Sequence, residues 1–168
     1  WVPANSGIAN QSAWAVAIDP SAAAKVYTAT THGIFASADA GGIWTETSAG
    51  LTSLRVHALA VDPATPATVF AGGDFGALWK STDSGGSWSA SSSGLPAAST
   101  LQDLAVDPST PAIVYAATDF GVWHSTDSGG TWQTASEGLT TTYIQKLAID
   151  PTTPTTLYAG TEDGGIFK

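Results

Sequence analysis

The sequence predicts an all-β fold, a β-propeller built of four-stranded antiparallel blades with about four blades in the chain, and three observations carry that expectation. An eight-residue pattern, Ser-x-Asp-x-Gly-x-x-Trp, occurs as SADAGGIW, STDSGGSW and STDSGGTW, ending at Trp44, Trp88 and Trp132, each 44 residues from the last. An aliphatic residue followed by Asp-Pro recurs at Asp19, Asp62, Asp107 and Asp150, at intervals of 43, 45 and 43 residues. Between these markers, short runs alternate with period two and turn residues interrupt them about every 8 to 12 residues, with no sustained 3.6-residue period.

Trp1 stands 18 residues before Asp19, as Trp44 stands before Asp62 and Trp132 before Asp150. Trp1 therefore takes the repeat's Trp position, and the units read 1–43, 44–87, 88–131 and 132–168 in one propeller domain or propeller segment. The innermost strand of each unit is AWAVAI, VHALAV, LQDLAV or IQKLAI and stops at the Asp-Pro turn. The second, KVYTAT, TVFAGG, IVYAAT or TLYAGT, is rich in β-branched and aromatic residues. The third is GIFAS, ALWKS, GVWHS or GIFK, and the fourth opens at the repeat Trp, as in WTETS, WSASS and WQTAS. A solenoid is the competing architecture and fits less well, because each unit holds enough strands for a whole blade.

The eight-residue pattern lies between the third and fourth strands, where the chain must reverse. Behind Ser37, Ser81 and Ser125, the carboxylates of Asp39, Asp83 and Asp127 are placed to accept N–H bonds from the turn, while Gly41, Gly85 and Gly129 supply positive φ without a Cβ clash. Trp44, Trp88 and Trp132 then bury a large ring beside the hairpin, each contributing about 2–3 kcal/mol from area alone. The pattern resembles the Asp-box, or BNR repeat, of sialidases, sortilin-type propellers, xyloglucan-specific endoglucanases and photosystem II assembly factors. Stretches such as VDPSTPAIVYAATDFGVWHSTDSGGTW are most similar to the endoglucanase and assembly-factor members. The resemblance covers nearly the whole chain and implies architecture, since in those proteins the boxes sit in hairpins away from the active sites.

GIFK ends at Lys168, where the next box would begin. Two readings are open. The strand at Trp1 completes the last blade by circular closure, which removes both exposed sheet edges, or both ends lie within a longer propeller. An open half ring would expose apolar blade faces, so a larger ring or an assembly between copies is expected.

Charge and composition narrow the function classes. The 168 residues carry 14 acidic against five basic side chains, for a net charge of −9, and only 11% are charged. Nucleic acid is not an expected partner, because phosphate binding needs a basic face. No run of about 18 apolar residues suggests a membrane span. There is no Cys, and His32, His57 and His124 are scattered singly, so neither thiol chemistry nor a zinc site is expected, and no cofactor is implied. One carboxylate per box is too few for a calcium loop. Abundant Ser, Thr, Ala and Gly with scarce Lys is the composition of exported or cell-surface bacterial proteins.

A ligand is expected on the face formed by the loops leading into the innermost strands and the loops joining second to third strands. These bring His32, Arg55, Asp74, Phe75, Asp119, Phe120, Tyr143 and Asp163 as candidate binding residues. The plainer reading has Asp74 and Asp119 building turns and Phe75 and Phe120 packing between blades. No catalytic residue stands out. A sialidase-like site, which the resemblance would furnish with three Arg, is excluded by the single Arg55. The expected function is a non-catalytic extracellular propeller, a structural scaffold or a protein- or glycan-binding module within a larger ring or a self-assembly. The alternative is a fragment of a polysaccharide-cleaving hydrolase of the xyloglucan-endoglucanase type, which would need two facing carboxylates.

Overall fold

The computed structural model describes residues 1–168 as fifteen strands in four antiparallel sheets. The first sheet is β1 (Ala13–Ile18), β2 (Val26–Thr30), β3 (Gly33–Ser37) and β4 (Thr45–Glu46). The second is β5 (Val56–Val61), β6 (Val69–Gly73), β7 (Leu78–Ser81) and β8 (Ser89–Ala90). The third is β9 (Leu101–Val106), β10 (Val114–Thr118), β11 (Gly121–Ser125) and β12 (Gln133–Thr134). The fourth has three strands, β13 (Ile144–Ile149), β14 (Leu157–Thr161) and β15 (Ile166–Phe167). Each sheet is a simple meander, and no helix is long and apolar enough to cross a membrane.

The four sheets are propeller blades, stacked face on face. Tyr27, Ala29 and Ile34 of the first blade pack on Leu59, Val69, Ala71, Trp79 and Trp88 of the second. Ala58, Ala60, Phe70 and Leu78, on the second blade's other face, pack on Leu104, Val114, Ala116 and Trp132 of the third. Ala117 and Val122 then meet Ile144 and Ala159 of the fourth. The inner strands end around one axial depression of about 380 Å³, to which Ile18, Val61, Val106 and Ile149 each contribute from their own blade. There the aspartate of each Asp-Pro pair closes a turn: Asp62 Oδ1 accepts the N–H groups of Ala64 and Thr65 at 2.8 and 2.9 Å, with equivalents at Asp19, Asp107 and Asp150.

Each box is a hydrogen-bonded clasp. Ser81 Oγ donates to Asp83 Oδ1 at 2.7 Å and accepts the Gly85 N–H at 2.8 Å, while Asp83 Oδ1 also takes the Ser87 N–H at 2.8 Å. Ser37 with Asp39, and Ser125 with Asp127, repeat these bonds. The reversal needs two successive left-handed residues: Ser84 has φ 61° and Gly85 85°, and Ala40–Gly41 and Ser128–Gly129 do the same. The clasp also binds neighbouring blades together. Trp88 Nε1 donates to the Thr47 carbonyl and Trp132 Nε1 to that of Ser91, both at 2.7 Å.

Within this chain no strand at Trp1 pairs with the last blade. Residues 1–12 contain no strand, and the fourth blade has three. Instead the Ala4 carbonyl accepts Trp44 Nε1 and the Ser6 carbonyl the Trp44 N–H, both at 2.8 Å. Thr47 and Ala49 serve Trp88 in the same way. Carbonyls following a repeat Trp are thus read by the next blade along the chain, and Ala4 and Ser6 are held there by the first blade.

The carboxylates of Asp83 and Asp127 are held down to about 2 from 3.8, the first chiefly by the Ser87 hydroxyl and the second chiefly by the Ser125 hydroxyl. Because the folded pKa lies below the unfolded one, their stabilisation is full above about pH 4 and is lost as pH falls through about 2. The thermal midpoint is therefore expected to decline between those limits. Asp83→Asn with Asp127→Asn should flatten that part of the decline, as measured by circular dichroism melts across pH; an unchanged slope would remove the clasp as its source.

Candidate binding site at the mouth of the inner strands

Every inner strand carries a bulge at its second residue. In β1, Ala13 pairs with Thr30 and Ala15 with Ala29, leaving Trp14 unpaired. His57, Gln102 and Gln145 are skipped in the same way in β5, β9 and β13. A bulge re-aims a side chain and breaks the alternation of the strand. Accordingly Val56 and Leu59, an odd number of residues apart, share one core cluster, so strict period two does not hold through this strand. The four bulged side chains are delivered to one place: Trp14, His57, Gln102 and Gln145, with Tyr143 and Lys146, line a cleft of about 280 Å³ at the end of the axis away from the Asp-Pro turns.

A polar chain runs along one wall of the cleft. The Trp14 and His57 rings stack with centroids 4.5 Å apart and planes 27° from parallel. His57 Nε2 lies 2.8 Å from Asp74 Oδ1, and Arg55 Nη1 lies 3.5 Å from Asp74 Oδ2. Asp74 sits on the β6–β7 loop, which is pinned by the Gly76 N–H donating to the Ser99 carbonyl at 2.6 Å. Across the cleft, Gln102 Nε2 donates to Tyr143 Oη at 3.3 Å. Trp14 is 41% exposed and Tyr143 39%, so two aromatic surfaces face solvent on either side of planar amides.

Three carboxylates near this end of the axis are engaged, whereas that of Asp163 has no hydrogen-bond partner. Asp74 is held by His57 and Arg55, Asp119 Oδ1 accepts the Thr100 N–H at 2.8 Å, and Asp103 Oδ2 accepts the Leu147 N–H at 3.0 Å. Of the residues expected on this face, Tyr143 lines the cleft and Arg55 and Asp74 buttress it through His57. His32, bonded to the Thr31 hydroxyl, lies on the β2–β3 loop outside it, as do Asp119, Phe120 and Asp163 on their own loops. Phe75 and Phe120 do not pack between blades: they are 77% and 50% exposed, and Phe75 has φ 59°. Trp14, His57 and Lys146 line the site without having been singled out. The available signal was the repeat column itself, Trp14, His57, Gln102 and Gln145, where aromatic and polar residues stand in otherwise aliphatic strands.

The family description Sortilin-Vps10 (sortilin, neurotensin receptor 3) matches residues 32–158, well over half of the chain. The chain belongs to the Sortilin-Vps10 family. Among solved structures, this Sortilin-Vps10 chain is similar to a GH74 enzyme from Niastella koreensis, at 24% identity and a TM-score of 0.75 over 90% of its length and 26% of that chain. A GH74 xyloglucanase from Xanthomonas campestris is similar at 20% identity and a TM-score of 0.71, over 96% of this chain and 29% of that one. An extracellular domain from B. thetaiotaomicron is similar at 20% and 0.75, over 96% and 22%. A search of curated proteins returns no match. At these identities the likeness is one of fold, and the Sortilin-Vps10 chain spans roughly a quarter of the length of each structure it matches.

Proposed function

We propose that the chain is a non-catalytic extracellular propeller module that binds an uncharged glycan at the inner-strand mouth. The observation that carries this reading is the convergence of four bulged residues, which sets Trp14 and Tyr143 about the amides of Gln102 and Gln145. An indole or phenol ring offers an apolar face to the C–H side of a sugar ring, and amides match its hydroxyls in both directions. The absence of any carboxylate from the cleft lining supports binding over hydrolysis, since a glycosidase needs one carboxyl free to donate a proton and a second facing it. Similarity to an extracellular domain supports the location.

Titration calorimetry against xyloglucan and other β-glucan oligosaccharides tests the reading. Binding is expected without release of reducing sugar, and Trp14→Ala is expected to raise Kd about tenfold or more, equivalent to ~1.4 kcal/mol. Absence of binding across the panel would overturn the glycan reading. Reducing-sugar release that Asp74→Asn abolishes would instead establish a hydrolase of the xyloglucan-endoglucanase type.

A further inference from the structure

The imidazole stacked on Trp14 has its hydrogen bonding set from behind. His57 Nε2 lies 2.8 Å from Asp74 Oδ1, and the other carboxylate oxygen, Oδ2, faces Arg55 Nη1 at 3.5 Å. A carboxylate beside a guanidinium accepts at both oxygens, so the proton in the bond to His57 belongs to Nε2. The neutral ring then carries its lone pair on Nδ1. Trp14 stands on β1, His57 on β5 and Asp74 on the β6–β7 loop, so the arrangement belongs to the contact between the first and second blades.

His57 Nδ1 has no partner within the chain and is open to solvent. The buried side-chain nitrogens left without a partner are Trp123 Nε1 and His124 Nδ1, whereas the His57 side chain is 22% exposed and lines the cleft. The opposite wall has the reverse polarity. Tyr143 Oη accepts the Gln102 amide at 3.3 Å, which leaves its own O–H to donate. The Lys146 ammonium, 3.8 Å from Asp103 Oδ1, is a donor only. The cleft thus sets an acceptor beside the Trp14 ring and donors across from it.

We propose that His57 Nδ1 is the specificity-determining acceptor of the mouth, taking the O–H of a sugar stacked on Trp14, and that Asp74 and Arg55 are positioning residues that hold the tautomer this requires. The inference rests on the glycan reading above and narrows its ligand class. A free hydroxyl fits at the His57 wall. An acyl, ether or carboxylate oxygen there would set one lone pair against another, which favours an unsubstituted, uncharged sugar over an esterified or acidic one.

Long-range proton–nitrogen correlation spectra of the 168-residue chain test the tautomer directly, at about pH 8 where imidazoles are in general neutral. His57→Gln identifies the ring's signals. A proton-bearing Nε2 and a bare Nδ1 are expected, and the Nδ1 resonance should move toward its hydrogen-bonded value when cellotetraose or a xyloglucan heptasaccharide is added. Asp74→Ala should merge the two nitrogen signals as the tautomers exchange. In titration calorimetry with the same sugars, His57→Gln, which can still reach Asp74 but offers nothing in the place of Nδ1, should bind about tenfold more weakly. His57→Asn, whose amide oxygen stands near the place of Nδ1, should recover most of that loss. A proton on Nδ1, an Nδ1 resonance that stays put while sugar binds, or equal losses in the two His57 variants would overturn the proposal and leave the glycan reading standing. Absence of sugar binding by the unaltered chain would overturn both.

Discussion

Trp132→Ala is expected to lower the unfolding free energy by about 3–5 kcal/mol, the largest effect of any single truncation considered for this chain. Trp132 is 3% exposed in the cluster between the second and third blades, against Leu101, Leu104 and Phe70. Its removal leaves a void the size of an indole in a contact between two rigid sheets, which cannot collapse around it. It also leaves the Ser91 carbonyl without the indole N–H it accepts at 2.7 Å, a buried bond. Trp44→Ala is the internal comparison. That ring is half-buried against residues 4–7, so its loss should cost less than half as much. Urea unfolding of the two variants checks both values, and equal losses would mean that the indoles act within their own hairpins and not as ties between blades.

Gly73→Ala is expected to cost about 1–3 kcal/mol although it adds a single methyl group. Gly73 pairs with Val56 at the bulge of β5, and a Cβ there would overlap the Arg55 carbonyl oxygen and stand 3.2 Å from Trp79 Cζ3. Both obstacles are stiff, one being backbone and the other a buried ring, so the β5–β6 pair must separate. Since Arg55 and His57 flank that point, the variant should also lose affinity at the mouth. Gly160→Ala serves as the control: its Cβ would meet Lys146 at an ordinary 3.8 Å, and unfolding and binding should stay near those of the unaltered chain. Equal effects at both glycines would show that loss of backbone freedom, and not the carbonyl contact, governs Gly73.

These two positions also mark where the sequence was legible and where it was not. The box could be read from residues alone because Ser125, Asp127, Gly129 and Trp132 act within eight residues, and their types dictate the turn. The blade count followed from repetition of that local device. The mouth was harder. Through VHALAV the eye places His57 with Leu59 and Val61 on one face, and only the pairing of Val56 with Gly73 and Ala58 with Gly72 reveals that His57 has left the alternation. The bond from His57 to Asp74 joins an inner strand to a loop 17 residues away, and nothing local announces it. Phe75 and Phe120 misled for the related reason that an aromatic residue in a turn reads as buried, whereas a left-handed backbone at Phe75 turns that ring to solvent. For the segment before Ala13, the Trp spacing fixes a position within the repeat and not the neighbour that holds it.

The recurring bulge has an evolutionary corollary. A residue omitted from the ladder owes nothing to hydrogen-bond register, so it is free to vary while its flanking partners stay fixed. The chain already displays the outcome, with an indole, an imidazole and two carboxamides at four equivalent places on one scaffold. Substitution at those places alone offers a combinatorial library of specificities at little risk to folding, and a designer seeking a new ligand would randomise there first.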